Sequence, residues 1–248
     1  MIVDFKRKYI FIGLPHSASS AISKELLQMY GAEPLFHKHA NIPLLLRERP
    51  DIDISDYFVF AVIRDPVEIV FSVYNKLLTN PNDRYTDPKS FLENGGHVNR
   101  NTRKLYSMVH DEGLSFEGYV RMKYRYLPYD NDLSINAKYL TEVIHFETIA
   151  EDFKRCLLQM GIAPVRDLPL FNKTNKVASC SELPRGLVNS VFGPFYDRHR
   201  AYFDKEVKIS ALDRVLFGLY QKFRFMKRLR YDLRQKNIST SIDKLLEP

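Results

Sequence analysis

Two short apolar runs constrain the fold more than anything else in this sequence. Tyr9 to Leu14 reads YIFIGL and Tyr57 to Ile63 reads YFVFAVI. Both are continuous rather than alternating, the pattern of strands buried on both faces. Each breaks into a short loop that hands over to a helical period. After the first, Gly13, Pro15 and the small residues from Ser17 to Ser20 interrupt the chain. Ile22, Leu26, Met29 and Tyr30 then recur at helical spacing, and Gly31 stops the helix. After the second, Asp65 and Pro66 form a cap and first-turn pair. The helix from Val67 to Leu78 that follows carries one polar stripe, Glu68, Ser72, Asn75 and Lys76. A third strand is predicted over Leu140–Phe146, followed by a helix from about Thr148 to Met160. Strands alternating with helices specify an α/β fold, a three-layer sandwich with a mostly parallel central sheet. Ligands of such sheets bind at the carboxyl ends of the strands, where both loops emerge.

The 248 residues are expected to form a single domain. Residues 79–135 read as an insertion or lid, opening on an Asn-, Asp-, Gly- and Pro-rich loop over 79–101, with a helix at Ser115–Leu127. Leu35–His37 reads as a second short strand and Pro43–Arg49 as a brief helix. Residues 164–184 are irregular, and basic amphipathic helices close the chain over 205–248. The formal net charge of +7 favours an anionic partner. The C-terminal bases, Arg224, Arg228 and Arg230 among them, are either solvated helix faces or a lip over an anionic substrate. Of the two cysteines, Cys156 and Cys180, the first lies in an apolar helical run and reads as a buried free thiol. No signal peptide and no transmembrane stretch is apparent, so a cytoplasmic protein is expected.

The first loop, G13-L-P-H-S-A-S-S20, follows a strand and opens a helix, so its N–H groups and the helix dipole favour an anion. Its spacing imitates the phosphate loop of nucleotide hydrolases, but Ala18 replaces the second glycine and Ser19 the lysine. An ATPase or GTPase is therefore disfavoured. The loop is either an anion cradle or a serine-rich cap that binds nothing. In the second loop, Arg64 ends a buried strand, where a charge needs a partner or a ligand. Its planar fork suits a phosphate. Ser72 lies roughly 10 Å along the next helix. The alternative pairs Arg64 with Asp65 or Glu68 and leaves Ser72 solvated.

Together the two loops resemble those of the PAPS-dependent sulfotransferases (PAPS, 3′-phosphoadenosine 5′-phosphosulfate). P15-H-S-A-S-S20 is similar to the family's P-K-[SC]-G-[ST]-[ST], and R64-D-P-V-E-I-V-F-S72 to its strand-ending Arg with a Ser eight residues later. Weaker likenesses extend to V143-I-H-F-E147, L168-P-L-F-N-K173 and F195-Y-D-R-H-R-A-Y-F203. The resemblance implies a P-loop nucleotide-hydrolase-like sulfotransferase fold. It implies that Pro15, His16, Ser17, Ala18, Ser19 and Ser20 cradle the 5′-phosphosulfate of PAPS, and that Arg64 and Ser72 hold the 3′-phosphate. The family's loop lysine, which stabilises the bridging oxygen of the leaving group, is His16 here. Imidazole could act there only as a cation or as a neutral N–H donor.

In L35-F-H-K-H-A40, two histidines two apart share a side if the segment is extended. Glycan 2-O-sulfotransferases carry a similar H-x-H segment. That likeness implies His39 as the base for the acceptor hydroxyl, with His37 assisting, and imidazole titrates in the range such work needs. Structural histidines are the competing reading, and no ligand spacing supports a metal. The acceptor implied is a hydroxyl-bearing small molecule, glycan or glycolipid, possibly anionic. Y119-VRMKYRYLPYD130 interleaves bases and aromatics as single-stranded nucleic-acid binders do, but it serves equally as a sugar platform or core helix, and no nucleic acid is expected. Arg103, Lys173, Lys176 and Arg185 are further anion-binding candidates. The alternatives are a PAP- or glycan-binding protein without catalysis and a phosphotransferase of related fold.

Overall fold

Five short strands form one sheet in the order β3-β1-β2-β4-β5 in the computed structural model, which describes residues 1–169 and 183–235. β2 (Tyr9–Ile12), β4 (Phe58–Ile63) and β5 (Glu142–His145) are parallel neighbours. β1 (Ile2–Asp4) pairs antiparallel with β2, and β3 (Glu33–Pro34) antiparallel with β1. The fold is thus α/β, with a mixed sheet whose centre is parallel.

The apolar runs are continuous because both faces of the sheet are covered. Tyr9, Phe11, Phe60, Val62 and Ile144 belong to one core, with Ile22 and Leu26 of α1 (Ser19–Met29) and Phe153, Cys156 and Leu157 of α7 (Ile149–Gln159). Ile10, Ile12, Val59, Ala61, Ile63 and Val143 belong to the other. That second core takes side chains from α2 (Ile42–Glu48), α3 (Pro66–Thr79), α4 (Arg100–His110), α5 (Phe116–Lys123), α6 (Leu133–Asn136), α8 (Arg185–Val191), α9 (Gly193–Arg198) and α10 (Ala211–Gln235). Phe60 is fully buried, with the Tyr9, Phe11 and Phe58 rings tilted against it, so its truncation to Ala would cost about 3–5 kcal/mol. Cys156 is a buried free thiol whose pKa desolvation pushes up to about 12.

The structure departs from the sequence pattern at several places. Leu35–His37 is not a strand. The chain leaves β3 at Pro34, Phe36 takes a left-handed conformation (φ 58°), and a turn closes with the Ala40 N–H donating to the His37 carbonyl at 3.0 Å. His37 and His39 therefore do not line one side of an extended segment. The 79–101 loop is organised by short 3-10 turns and a bridge between Phe91 and Val98, and α4 begins at Arg100. Within the other predicted helix of this region, α5 ends at Lys123 rather than Leu127. Lys173, Lys176, Cys180 and most of the L168–K173 stretch lie outside the described residues.

The parallel strands β2, β4 and β5 deliver the loops at 13–18, 64–65 and 146–148 to one edge of the sheet. Gly13 is required there, because a Cβ at this position would stand 2.9 Å from the Lys38 carbonyl oxygen. The turn carrying both histidines thus packs directly on the end of β2. The Met1 amine anchors it, donating to the His37 and Lys38 carbonyls at 2.9 and 3.1 Å. Among the described residues no helix is long and apolar enough to cross a membrane.

Candidate anion site at the carboxyl edge of the sheet

The loop from Pro15 to Ala18 bends twice through the left-handed region, at His16 (φ 63°) and Ala18 (φ 57°). Each non-glycine residue held there costs about 1–2 kcal/mol, and such strain collects where a backbone must aim at a ligand. Its result is an open helix start. Ala18 caps α1 without any side-chain hydrogen bond. The N–H groups of residues 16–20 find no acceptor among the described residues; the next one, on Ala21, donates to the Ala18 carbonyl at 3.0 Å. Consecutive free N–H groups at the positive end of a helix form an anion-binding concavity.

The serine hydroxyls act differently from what the loop sequence implies. Ser17 and Ser19 are buried, and both donate inward to the Leu14 carbonyl, at 2.8 and 3.1 Å. They hold the loop's shape rather than face a ligand. Ser20 accepts from the Lys38 ammonium at 2.6 Å. What these residues can offer an anion is their backbone N–H groups.

Cations surround this concavity. His16 lies within the electrostatic reach of Lys76, Lys123, Arg84 and Arg64, and Lys38 within that of Lys76. Lys38, Lys76, Arg84 and Lys123 form no salt bridge with any described residue. Desolvation lowers the pKa of Lys38 and Lys76, and neighbouring cations lower both further. Lys123 donates to the Tyr119 hydroxyl at 2.9 Å and lies over the Tyr119 and Tyr124 rings. Desolvation and then those cations push His16 down to about 4. Because the His16 side chain is itself exposed, the cationic surroundings are the firmer cause. At neutral pH it is therefore an uncharged N–H donor.

Arg64 closes the same edge from β4. Its side chain is only 11% exposed, and one guanidinium nitrogen reaches Glu68 at 3.3 Å. The group stacks 4.3 Å above the Phe146 ring, and its Nε is buried without a partner. The ion pair with Glu68 is thus real but leaves donor capacity unused, in a place where each missing hydrogen bond costs about 1–3 kcal/mol. Asp65 caps α3, accepting from the Val67 N–H at 2.8 Å, and also accepts from the Tyr196 hydroxyl at 3.0 Å. Ser72, half-buried on α3, makes no hydrogen bond among the described residues. A cleft of about 570 Å³ opens beside Arg64, lined by His145, Glu147, Tyr202 and Lys205 among others. It flanks the loop rather than containing it.

The two histidines separate in role. His37 is buried and contacts Asp232 of α10 at 3.2 Å through Nε2. His39 sets its Nδ1 2.5 Å from the Gly13 carbonyl. A carbonyl only accepts, so Nδ1 carries the proton and Nε2 carries the lone pair. Desolvation, set against that hydrogen bond, lowers His39 to about 4, and Nε2 makes no hydrogen bond among the described residues. His39 is thus a neutral imidazole held by the Gly13 carbonyl at the end of β2, beside the loop of residues 15–18.

Sequence reading missed Lys38, Lys76, Arg84 and Lys123. Lys76 was visible on the polar stripe of α3, but only the fold shows that four separate segments converge. Arg103 is used otherwise: it pairs with Glu93 at 2.6 Å and stacks on Phe91. Arg185 sits exposed at the start of α8. Among the described residues no cluster of three or more His, Cys, Asp or Glu could hold a metal ion.

Comparison with protein-family models, with curated proteins and with solved structures matches none of them.

Proposed function

We propose that the protein is a sulfotransferase of the PAPS-dependent type, with a three-layer P-loop-like sulfotransferase fold, acting on the hydroxyl of a carbohydrate or glycolipid in the cytoplasm. The observation that carries this reading is the run of N–H groups at residues 16–20, without acceptors among the described residues, beside Lys76, Arg84 and Lys123, which pair with no described carboxylate. Such a site fits a group bearing several negative charges. PAPS fits it and would supply an activated sulfuryl group. In this reading the N–H groups at 16–20 hold the 5′-phosphate end, Arg64 and Ser72 hold the 3′-phosphate, and His39 Nε2 takes the proton of the acceptor hydroxyl. His16, uncharged at neutral pH, donates a hydrogen bond to the bridging oxygen. Lys38 and Lys76 supply the positive field that the loop lysine gives in the family pattern. Positioning and electrostatics then contribute most of the acceleration, as in phosphoryl transfer. The absent loop lysine argues against an ATP-dependent phosphotransferase.

Isothermal titration of PAP against wild type and Arg64→Ala tests the donor site. Micromolar binding that the substitution weakens at least tenfold is expected, with ATP and Mg²⁺ binding far more weakly. Absence of PAP binding to the wild type overturns the reading. Tight PAP binding with no transfer from labelled PAPS to any glycan acceptor would leave a nucleotide-binding protein.

A further inference from the structure

α10 has two unlike faces. Inward, Arg224 pairs with Asp130 and Asp132, at 3.1 and 2.9 Å, and Arg228 with Asp132 at 3.1 Å. Phe217 is buried between the helix and the core. Outward, Leu212, Leu216, Leu219, Phe223 and Met226 are between 51% and 67% exposed, with Val215 beside them at 61%. Their spacing is four, three, four, three. That is the a/d seam of a coiled coil, narrower than the broad apolar face of a helix lying in a membrane surface. The helix has 25 residues, or about 37 Å, ample for such a seam.

We infer that α10 pairs with α10 of a second copy of this chain, antiparallel, through the Leu212–Met226 seam. The charges along its flanks choose both partner and direction. The C-terminal half carries Lys222, Lys227, Arg230 and Arg234, while Asp213 is the acid of the N-terminal turn. A parallel pair would bring Arg230 onto its own copy within the seam and Lys222 beside Lys227. The antiparallel pair sets Leu219 opposite Phe223 and Leu216 opposite Met226, and brings Asp213 of each copy to Lys227 of the other, twice. Its one like-charge meeting is Lys222 with its own copy. Lys227 has no ion-pair partner within its own chain among the described residues. Opposed helix dipoles favour the same direction. The contact is isologous, so it closes as a dimer rather than extending. Six side chains offering roughly 100 Å² each give about 600 Å² per copy, at the top of what a monomer ordinarily leaves exposed. Pairing them buries about 1,200 Å² in total, the lower end of stable specific interfaces.

Sedimentation velocity and light scattering across a concentration series test this on the full chain. Wild type is expected as a dimer at tens of micromolar. Leu219→Glu with Phe223→Glu is expected as a monomer with unchanged far-UV circular dichroism, since both sites are exposed. Direction is read from charge exchange: Asp213→Lys weakens the dimer several-fold, and adding Lys227→Asp restores it. A wild type that stays monomeric overturns the inference, whether the seam is then covered by residues 236–248 of the same chain or binds vesicles of phosphatidylserine and phosphatidylcholine. A dimer that survives the paired glutamates overturns it equally, and failure of the second charge change to restore pairing overturns the antiparallel arrangement.

Discussion

His39 and Ala18 carry opposite kinds of preparation for chemistry. His39 is prepared electronically: its Nδ1–H donates to the Gly13 carbonyl and desolvation lowers its pKa to about 4. In the proposed reaction this base is already unprotonated at neutral pH. Transfer is therefore expected to hold its rate from pH 7 down to about 5, and to fall as pH drops through about 4. His39→Ala should lower kcat by about 10²–10⁴-fold while leaving PAP affinity unchanged. A rate that falls already near pH 6.5 would show that the base titrates as an ordinary imidazole, against the neutral, desolvated state of His39. Ala18 is prepared conformationally, at φ 57° where its Cβ is strained. Ala18→Gly, which matches the residue the sulfotransferase pattern carries there, should stabilise the protein by up to about 1 kcal/mol. That corresponds to roughly 2–4 °C in Tm, read by calorimetry. An unchanged or lower Tm would mean that the left-handed bend is not strained. Both residues were visible in the sequence as candidates. Their states were not, because each depends on a backbone contact, His39 on Gly13 across 26 residues.

At the level of elements, strands and helices followed from local pattern, while the contacts that aim the site did not. Continuous apolar runs announced β2 and β4 because both faces of each are buried. β1 and β3 were missed because three- and two-residue strands carry too little period to read. In the sequence the basic residues of α10 read as a solvated face, with a lip over an anionic substrate as the alternative. Their acids, Asp130 and Asp132, lie more than 90 residues away in sequence, so nothing local distinguished the inward Arg224 and Arg228 from the outward Lys227 and Arg230. The inward set holds the histidine turn. Asp232 contacts His37 at 3.2 Å, accepts from Asn41 at 2.8 Å and pairs with Arg228 at 3.2 Å, and Arg228 donates to the His39 carbonyl at 2.6 Å. Removing one member of such a buried ionic network leaves the others unpaired, which costs about 3–5 kcal/mol. Asp232→Ala is therefore expected to lower the urea midpoint by that equivalent and to slow transfer more than it weakens PAP binding. A variant as stable as wild type would show that α10 only rests on the turn.

For the whole molecule, the same burial that keeps histidines neutral makes stability depend on pH in a definite direction. His199 lies 4% exposed between Phe195 and Tyr202, with Nε2 at 2.8 Å from the Ser134 hydroxyl. Desolvation, and Arg198 beside it, lower its pKa to about 4, where His39 also stands. In the unfolded chain both return to about 6.5. Between those values the unfolded state binds more protons, so stability rises with pH across the window and falls on acidification from about 6.5 to about 4. Each histidine contributes at most about 1.4 kcal/mol per pH unit. His16, exposed at the loop, shifts in the same direction. Asp130 opposes the trend, since burial raises its pKa and lets the folded state take up a proton early. Two histidines against one carboxyl still leave a loss of a few kcal/mol, a large share of the 5–15 kcal/mol that ordinary domains hold. Urea unfolding at pH 7.5, 6.0, 5.0 and 4.5 should show midpoints descending most steeply between pH 6 and 5. His199→Asn, which cannot titrate there, should flatten the descent by about half while lowering stability at pH 7.5 only modestly. Midpoints level from pH 7.5 to 5, or a slope that His199→Asn leaves unchanged, would mean that carboxylates rather than these imidazoles govern the acid limb.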